Sequence, residues 1–293
     1  MQTERIGFVG LGDMGGPMAE NLARSGAAPA VYDLRAEAVA SAAALGAVPI
    51  SSVAEVAESS DIVFVCVLDA AQVHDVVAGT DGLFATWRGE RTASLPTPLV
   101  VVHSTVTPAT VQALVGPGQL AGARVLDAAV SGGRAVAVEG KLTLLVGGAT
   151  EDVVRCKPFF DVVAGTVFHV GEESGAGEAA KLCNNIMALC NGFATLEAAK
   201  LAEAYHIDQE RLVELASAST GDSWMIRNWG FIDDVMASHT DSPVSTMTKD
   251  LTSAIQAAHD AEIELPFVST AVGAATELLT DWHATRSKTA GRR

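Results

Sequence analysis

One short stretch gathers side chains that could move a proton. In the segment running from Gly171 to Asn185, GEESGAGEAAKLCNN, Gly177, Lys181 and Asn185 recur at i, i+4 and i+8, and Asn184 follows Lys181 by three. On a helix of 3.6 residues per turn these positions stack on one face. Ala179, Ala180, Leu182, Ile186, Met187, Ala188 and Leu189 surround them with apolar chain. Desolvation favours a neutral amine, so a lysine here can give and take a proton near working pH. Gly177 reads as a gap through which something approaches that face. The plainer reading is a surface lysine lying along its own stem, with the asparagines marking a kink.

A second stretch binds rather than reacts. Gly10-Leu11-Gly12-Asp13-Met14-Gly15 follows the apolar run Arg5–Gly10 and precedes a helical pattern of Met14, Met18 and Leu22 that Gly26 closes. A glycine-rich turn between strand and helix is the dinucleotide fingerprint. Gly10 permits the tight turn, Gly12 lets backbone approach a pyrophosphate, and Gly15 lets helix and strand pack closely. The strand Ala30–Tyr32 ends at Asp33, about 20 residues on, where a carboxylate accepts the ribose hydroxyls and repels a 2′-phosphate. Asp33 also reads as a helix N-cap, and Arg35 is a cation able to hold that phosphate. The balance predicts NAD, with NADP disfavoured. A third stretch, Ser131-Gly132-Gly133, lacks bulk and can turn successive N–H groups toward a carboxylate.

Strand and helix signals alternate up to Gly171: strands at 47–50, 61–68, 99–103, 125–128, 142–146 and 167–170, helices near 52–58, 72–77 and 151–160, a Thr107-Pro108 helix start, and a loop over 79–98. That alternation predicts a parallel, doubly wound α/β sheet of Rossmann type. Ligands of such sheets lie at the carboxyl ends of the strands, where the glycine loop, Asp33, Val67-Leu68, Ser104-Thr105 and Ser131–Gly133 all fall. After Gly171 only helical periodicity remains, over 175–205, 208–218, 246–261 and 266–280. We therefore expect a dinucleotide-binding domain at 1–172 and an all-α domain at 173–293, joined by the long helix, with a ligand cleft between them. Trp224, Trp229 and Phe231 read first as aromatics packed under a loop; Trp224 and Phe231, with Arg227, could instead wall that cleft.

Composition narrows the function. The chain has 293 residues, 19 Lys and Arg against 35 Asp and Glu, and a net charge of −16, which disfavours a nucleic-acid partner or an anionic membrane. No apolar run approaches ~20 residues. The four cysteines form no CxxC pair and read as small buried hydrophobes of a cytoplasmic protein, and the histidines show no zinc spacing, so no metal is expected.

Four stretches in order, GFVGLGDMGGPMAENLARSG, DAAVSGGRAVAVEGKLTLLVGG, GAGEAAKLCNNIMALCNGFATLEAAKLAEA and TKDLTSAIQAA, resemble the signature segments of the β-hydroxyacid dehydrogenases. That family includes 3-hydroxyisobutyrate dehydrogenase and tartronate semialdehyde reductase and is related to 6-phosphogluconate dehydrogenase. The resemblance implies that Lys181 is the catalytic lysine and Asn185 the amide that orients substrate. It assigns the substrate carboxylate to Ser131, Gly132 and Gly133, with Asn184, Lys249 and Asp250 beside the substrate. It maps cofactor contacts onto Leu11 to Met14, Asp33, Val67, Leu68, Thr105 and Lys249, and it implies a homodimer or homotetramer. Three positions depart from the family pattern: Ala129 stands where Pro is usual, Val136-Ala137 where Gly-Ala is usual, and Asp69 where Pro follows Leu68. The expected activity is hydride transfer between NAD and a small 3-hydroxy acid or semialdehyde that carries a carboxylate. The alternatives are an imine reductase on the same scaffold, whose members lack the lysine, and a dinucleotide-binding module without catalysis.

Overall fold

The computed structural model describes residues 4–88, 96–231 and 243–290. The chain divides into two compact units, Met1–Lys181 and Leu182–Arg293.

The first unit is built on one eight-stranded sheet: β1 (Ile6–Val9), β2 (Ala30–Tyr32), β3 (Val48–Pro49), β4 (Ile62–Val65), β5 (Leu99–Val102), β6 (Arg124–Ser131), β7 (Leu142–Gly147) and β8 (Ala164–Gly171). Their spatial order is 3-2-1-4-5-6-7-8. Apolar side chains run without a polar interruption in the central strands because both faces are covered. Ile62 and Phe64 of β4 join one core with Phe8, Leu126 and Phe160, whereas Val63 and Val65 join the other with Val73, Leu83, Phe84 and Trp87. The helices supply the opposing layers: α1 (Gly15–Arg24), α2 (Ala36–Ala43), α3 (Val53–Ser59), α4 (Ala70–Ala78), α5 (Leu83–Trp87), α6 (Pro108–Leu120), α7 (Gly133–Val138) and α8 (Thr150–Val163).

The sheet is not wholly parallel, which corrects the expectation. β7 pairs with β6 antiparallel, and β8 then runs parallel to β7. The stretch 132–141 between β6 and β7 is shorter than the dozen or so residues a parallel crossover needs, so the chain turns back on itself. In this unit two helices also lie where none was read. α5 sits inside the supposed loop over 79–98, held by buried Leu83, Phe84 and Trp87, whose indole N–H donates to the Ala57 carbonyl at 2.9 Å. α7 opens directly at the glycine pair after Ser131. Ser52, Asp69 and Thr107 cap α3, α4 and α6, each accepting a backbone N–H of its own first turn. Asp69, one of the departures from the family pattern, is thus the residue that starts α4.

α9 (Ala176–Ala204) carries the boundary between the units. The second unit continues with α10 (Gln209–Ser217), α11 (Trp224–Arg227), α12 (Pro243–Asp260) and α13 (Pro266–Ala290), with no strand among its described residues. α13 runs ten residues past the expected end at 280. Its own core holds Phe193, Leu196, Met225, Leu251, Val268 and Leu279. Trp224 and Phe231 meet edge to face at 5.1 Å, so these aromatics pack on each other. Of the cysteines, Cys156 and Cys190 are buried as expected, but Cys66 is half-buried and Cys183 is exposed, because it lies on the side of α9 turned from the core.

Candidate functional site

The glycine loop shows three distinct backbone reasons for three glycines. Gly10 has φ +92°, and a Cβ there would strike the Cys66 carbonyl. A Cβ at Gly15 would run into the Gly10 carbonyl, so α1 could not pack so close to β1. A Cβ at Gly12 would meet nothing within 4 Å. Gly12 is therefore not demanded by the protein's own packing, and the open space above it fits a ligand that approaches the backbone. The residues present suit a dinucleotide pyrophosphate at the start of α1.

Asp33 closes the loop from the neighbouring strand. Its carboxylate accepts the Leu11 N–H at 2.6 Å and the Arg35 N–H at 2.8 Å, and Arg35 Nε donates to it at 3.1 Å. Burial pushes the Asp33 carboxyl up, but the Arg35 side chain, then the Arg35 and Leu11 N–H groups, carry it below the usual carboxylate range. The N-cap of α2 is Arg35, so Asp33 is not that cap. Arg35 Nη2 also donates to the Leu11 carbonyl at 2.9 Å, which ties the cation to the loop and to the carboxylate at once.

On the other side of β1, the end of β4 meets the end of β5. The Val67 N–H donates to Ser104 Oγ at 2.8 Å, while the Leu68 side chain is exposed. Thr105 follows half-buried, and the next residue, Val106, donates its N–H to Glu178 Oε2 at 3.1 Å. His103 is buried against Phe64 and Phe8, with Nδ1 2.6 Å from the Ala128 carbonyl, and burial pushes it down to about 4. It is a neutral core group. Burial, with Glu178 adding to it, pushes the Cys66 thiol up to about 12, which removes it as a nucleophile.

The start of α9 is bolted to β6. Asp127 is fully buried and accepts the N–H groups of Gly175 at 2.6 Å and Glu178 at 2.7 Å. Burial pushes its carboxyl up to about 6, against the pull of those donors. A Cβ at Gly177 would strike the Leu145 carbonyl and the Asp127 carboxylate. The gap at Gly177 is thus filled by the protein's own strand, a correction to its reading as an approach path. Lys181 stands one turn further, 9% exposed. Four residues beyond Asp127, β6 ends at Ser131, and the backbone turns at Gly132 (φ +135°) and Gly133 (φ +75°). Both values lie where side chains are disfavoured, so this corner requires glycine.

The remaining site residues lie in the second unit. Asn185 is 8% exposed, and its amide donates to Asp250 Oδ2 on α12 at 2.5 Å while its oxygen accepts from the Asn184 amide at 3.2 Å. The carboxylate fixes which way the Asn185 amide faces and leaves its second N–H for another partner. Lys249 and Asp250 are half-buried neighbours on α12. Among the described residues no group of His, Cys, Asp and Glu is arranged to hold a metal. Sequence reasoning passed over Asp127, Glu178 and Arg134. The first two were legible only as acids beside recognised motifs. Arg134 follows the glycine pair, and its Nη1 donates to the Asp13 carbonyl at 3.2 Å.

Comparison with known proteins matches both parts of the chain. Residues 5–171 fit the NAD binding domain of 6-phosphogluconate dehydrogenase, and residues 175–290 fit the NAD-binding region of NADP-dependent 3-hydroxyisobutyrate dehydrogenase. An NAD-dependent L-serine dehydrogenase of Pseudomonas aeruginosa is 32% identical over 97% of this chain and 95% of its own. A 3-hydroxyisobutyrate dehydrogenase of the same bacterium is 34% identical over 75% and 72%. Among solved structures, Mycobacterium tuberculosis 3-hydroxyisobutyrate dehydrogenase with L-serine superposes with a TM-score of 0.82 at 27% identity, covering 96% and 95%.

Proposed function

This chain belongs to the 3-hydroxyisobutyrate dehydrogenase-like branch of the β-hydroxyacid dehydrogenases, and from that membership we propose that it moves a hydride between NAD and a small 3-hydroxy acid or its semialdehyde. The observation that carries this reading is a buried lysine, Lys181, on a helix start hydrogen-bonded to the strand that ends in the Ser131–Gly133 corner. In this reading the corner grips the substrate carboxylate through its N–H groups. Bound NAD supplies the hydride acceptor. Lys181, as the amine, takes the hydroxyl proton as the C–H bond gives up its hydride. In the reverse direction its ammonium donates that proton to the oxygen of the forming alcohol. Asn185 holds the same oxygen through its remaining N–H, with Asp250 and Asn184 fixing its amide. NAD is preferred over NADP, because Asp33 would accept the ribose hydroxyls of the bound cofactor and Arg35 is already engaged with Asp33.

The protein works in the cytoplasm, a reading supported by four cysteines that form no disulfide and by the absence of any described helix long and apolar enough to cross a membrane. Exposed Met187 and Leu201 on α9, with exposed Tyr205 just after it, support a homodimer or homotetramer.

The test is absorbance of NADH and NADPH with a panel of hydroxy acids, semialdehydes and cyclic imines. Turnover of a carboxylate-bearing alcohol or aldehyde, lost by ~10²–10⁴ in kcat on Lys181→Ala, supports the reading. A Lys181→Ala enzyme with nearly wild-type kcat sinks the proton-relay role. Turnover of imines alone sinks the substrate class, and tight NADH binding without turnover favours the non-catalytic module.

A further inference from the structure

A pyrophosphate held at the glycine loop would meet a poor charge balance. From Leu11 to Gly16 the only charged side chain is Asp13, and the one basic side chain of α1 is Arg24 in its last turn. A diphosphate laid over Gly12 would meet helix N–H groups and an adjacent carboxylate, with no cation of the loop's own. A cation comes instead from the substrate corner. Arg134, the second residue of α7, sends its guanidinium back across to the loop, where Nη1 lies 3.2 Å from the Asp13 carbonyl and 3.8 Å from Asp13 Oδ1. The same guanidinium lines a concavity of about 290 Å³ together with Gly12, Asp13, Gly16 and Arg35. Its side chain remains 61% exposed, so donors are left over after the Asp13 contacts.

We propose that Arg134 is a cofactor-binding residue, a guanidinium that cancels the Asp13 charge and binds the dinucleotide pyrophosphate from the side of the substrate corner. Five N–H donors in a planar fork suit a phosphate, and one contact to the loop carbonyl leaves the rest free to turn toward it. The placement has a further consequence. Residues 131–133 are held to grip the substrate and residue 134 the cofactor, so one turn of backbone sets the distance between the two ligands. The inference rests on the dinucleotide site of the function proposed above.

Binding alone tests it, with no substrate needed. NADH is titrated by its fluorescence against wild-type protein, Arg134→Ala, Arg134→Lys and the double variant Arg134→Ala with Asp13→Asn, at low ionic strength and at about 1 M salt. Melting temperatures of the unliganded proteins check that each variant folds. We expect Arg134→Ala to weaken NADH about three- to tenfold at low salt, Arg134→Lys to restore part of the loss, and high salt to shrink the difference. An unchanged Kd overturns the proposal. So does a loss that is the same at every salt concentration, which would mark a displaced loop. Full recovery in the double variant overturns it too, because Arg134 would then serve only as the counter-ion of Asp13. Failure of the wild-type protein to bind NADH would sink the function proposed above instead.

Discussion

At the scale of single residues, the site depends on charges that are already spoken for. Arg35 stands where a cation can hold a 2′-phosphate, yet its guanidinium is bonded to the Asp33 carboxylate and the Leu11 carbonyl. Asp33 thus does two things: it offers acceptors to a ribose, and it withholds Arg35. Replacing it should reverse both. In Asp33→Ser, NADH loses hydrogen bonds worth roughly 1–2 kcal/mol, and the released Arg35 gains a phosphate partner in NADPH. We expect the ratio of the NADPH Kd to the NADH Kd to fall by about tenfold or more, read from parallel fluorescence titrations. A ratio that stays at the wild-type value would show that cofactor choice is made elsewhere. The fingerprint glycines and Asp33 were legible in the sequence because their demands are local: a turn, a close approach, an acid at a strand end. The engagement of Arg35 was not, since spacing says which residues are near and not which acceptor a guanidinium has taken.

At the scale of elements, the first turn of α9 is the piece that aims Lys181. Asp127 caps it from β6, Glu178 ties it to the turn after β5, and Gly177 lies against β7. Two strands and the turn after a third are thereby referred to one helix start. The sequence marked Gly177 and Lys181 as one helix face but could not say what filled the space at the glycine, because the antiparallel return of β7 was itself unseen. Gly177→Ala tests the packing. Its Cβ would collide with backbone of β7, and overpacking of that kind costs about 1–3 kcal/mol. Because relief requires the helix start to move, Lys181 moves with it, and a misplacement near 1 Å can cost ~10² in rate. We expect a lower melting temperature together with a kcat at least about tenfold down. Gly273→Ala is the contrast: that glycine is exposed inside α13, and a Cβ there meets nothing within 4 Å. It should stabilise by about 0.5–1 kcal/mol with activity unchanged. If Gly177→Ala keeps full kcat while losing stability, the helix start is only a structural joint.

At the scale of the whole molecule, the sheet architecture was readable because strands buried on both faces leave continuous apolar runs, and the helical second half because its periodicity never changes. What the sheet hides is a titratable core. His103 follows β5, packed against Phe8, Phe64 and Phe160, and is held neutral, pushed down to about 4, while in the unfolded chain it titrates near 6.5. As pH falls through that window the unfolded state takes up a proton that the native state refuses, so the stability His103 contributes is present above about 6.5 and is lost toward 4. The span corresponds to something on the order of 3 kcal/mol. Asp127 works in the other direction. Its native carboxyl, pushed up to about 6, holds a proton longer than the unfolded one, so its contribution is present at low pH and is lost as pH rises from about 4 to about 6. Between about 6.5 and 6 the His103 effect is therefore the less opposed of the two, and below that the two partly cancel. Relief of the −16 net charge on acidification overlies both. A difference between proteins isolates the histidine. His103→Gln keeps an N–H for the Ala128 carbonyl but no titratable ring. We expect this variant to melt below wild type at pH 7.5 and the gap to narrow as pH is lowered to about 5, because only the wild-type protein pays the proton penalty. Melting curves at closely spaced pH values measure it, and a gap that stays constant across the window would mean that His103 is not held neutral in the native state.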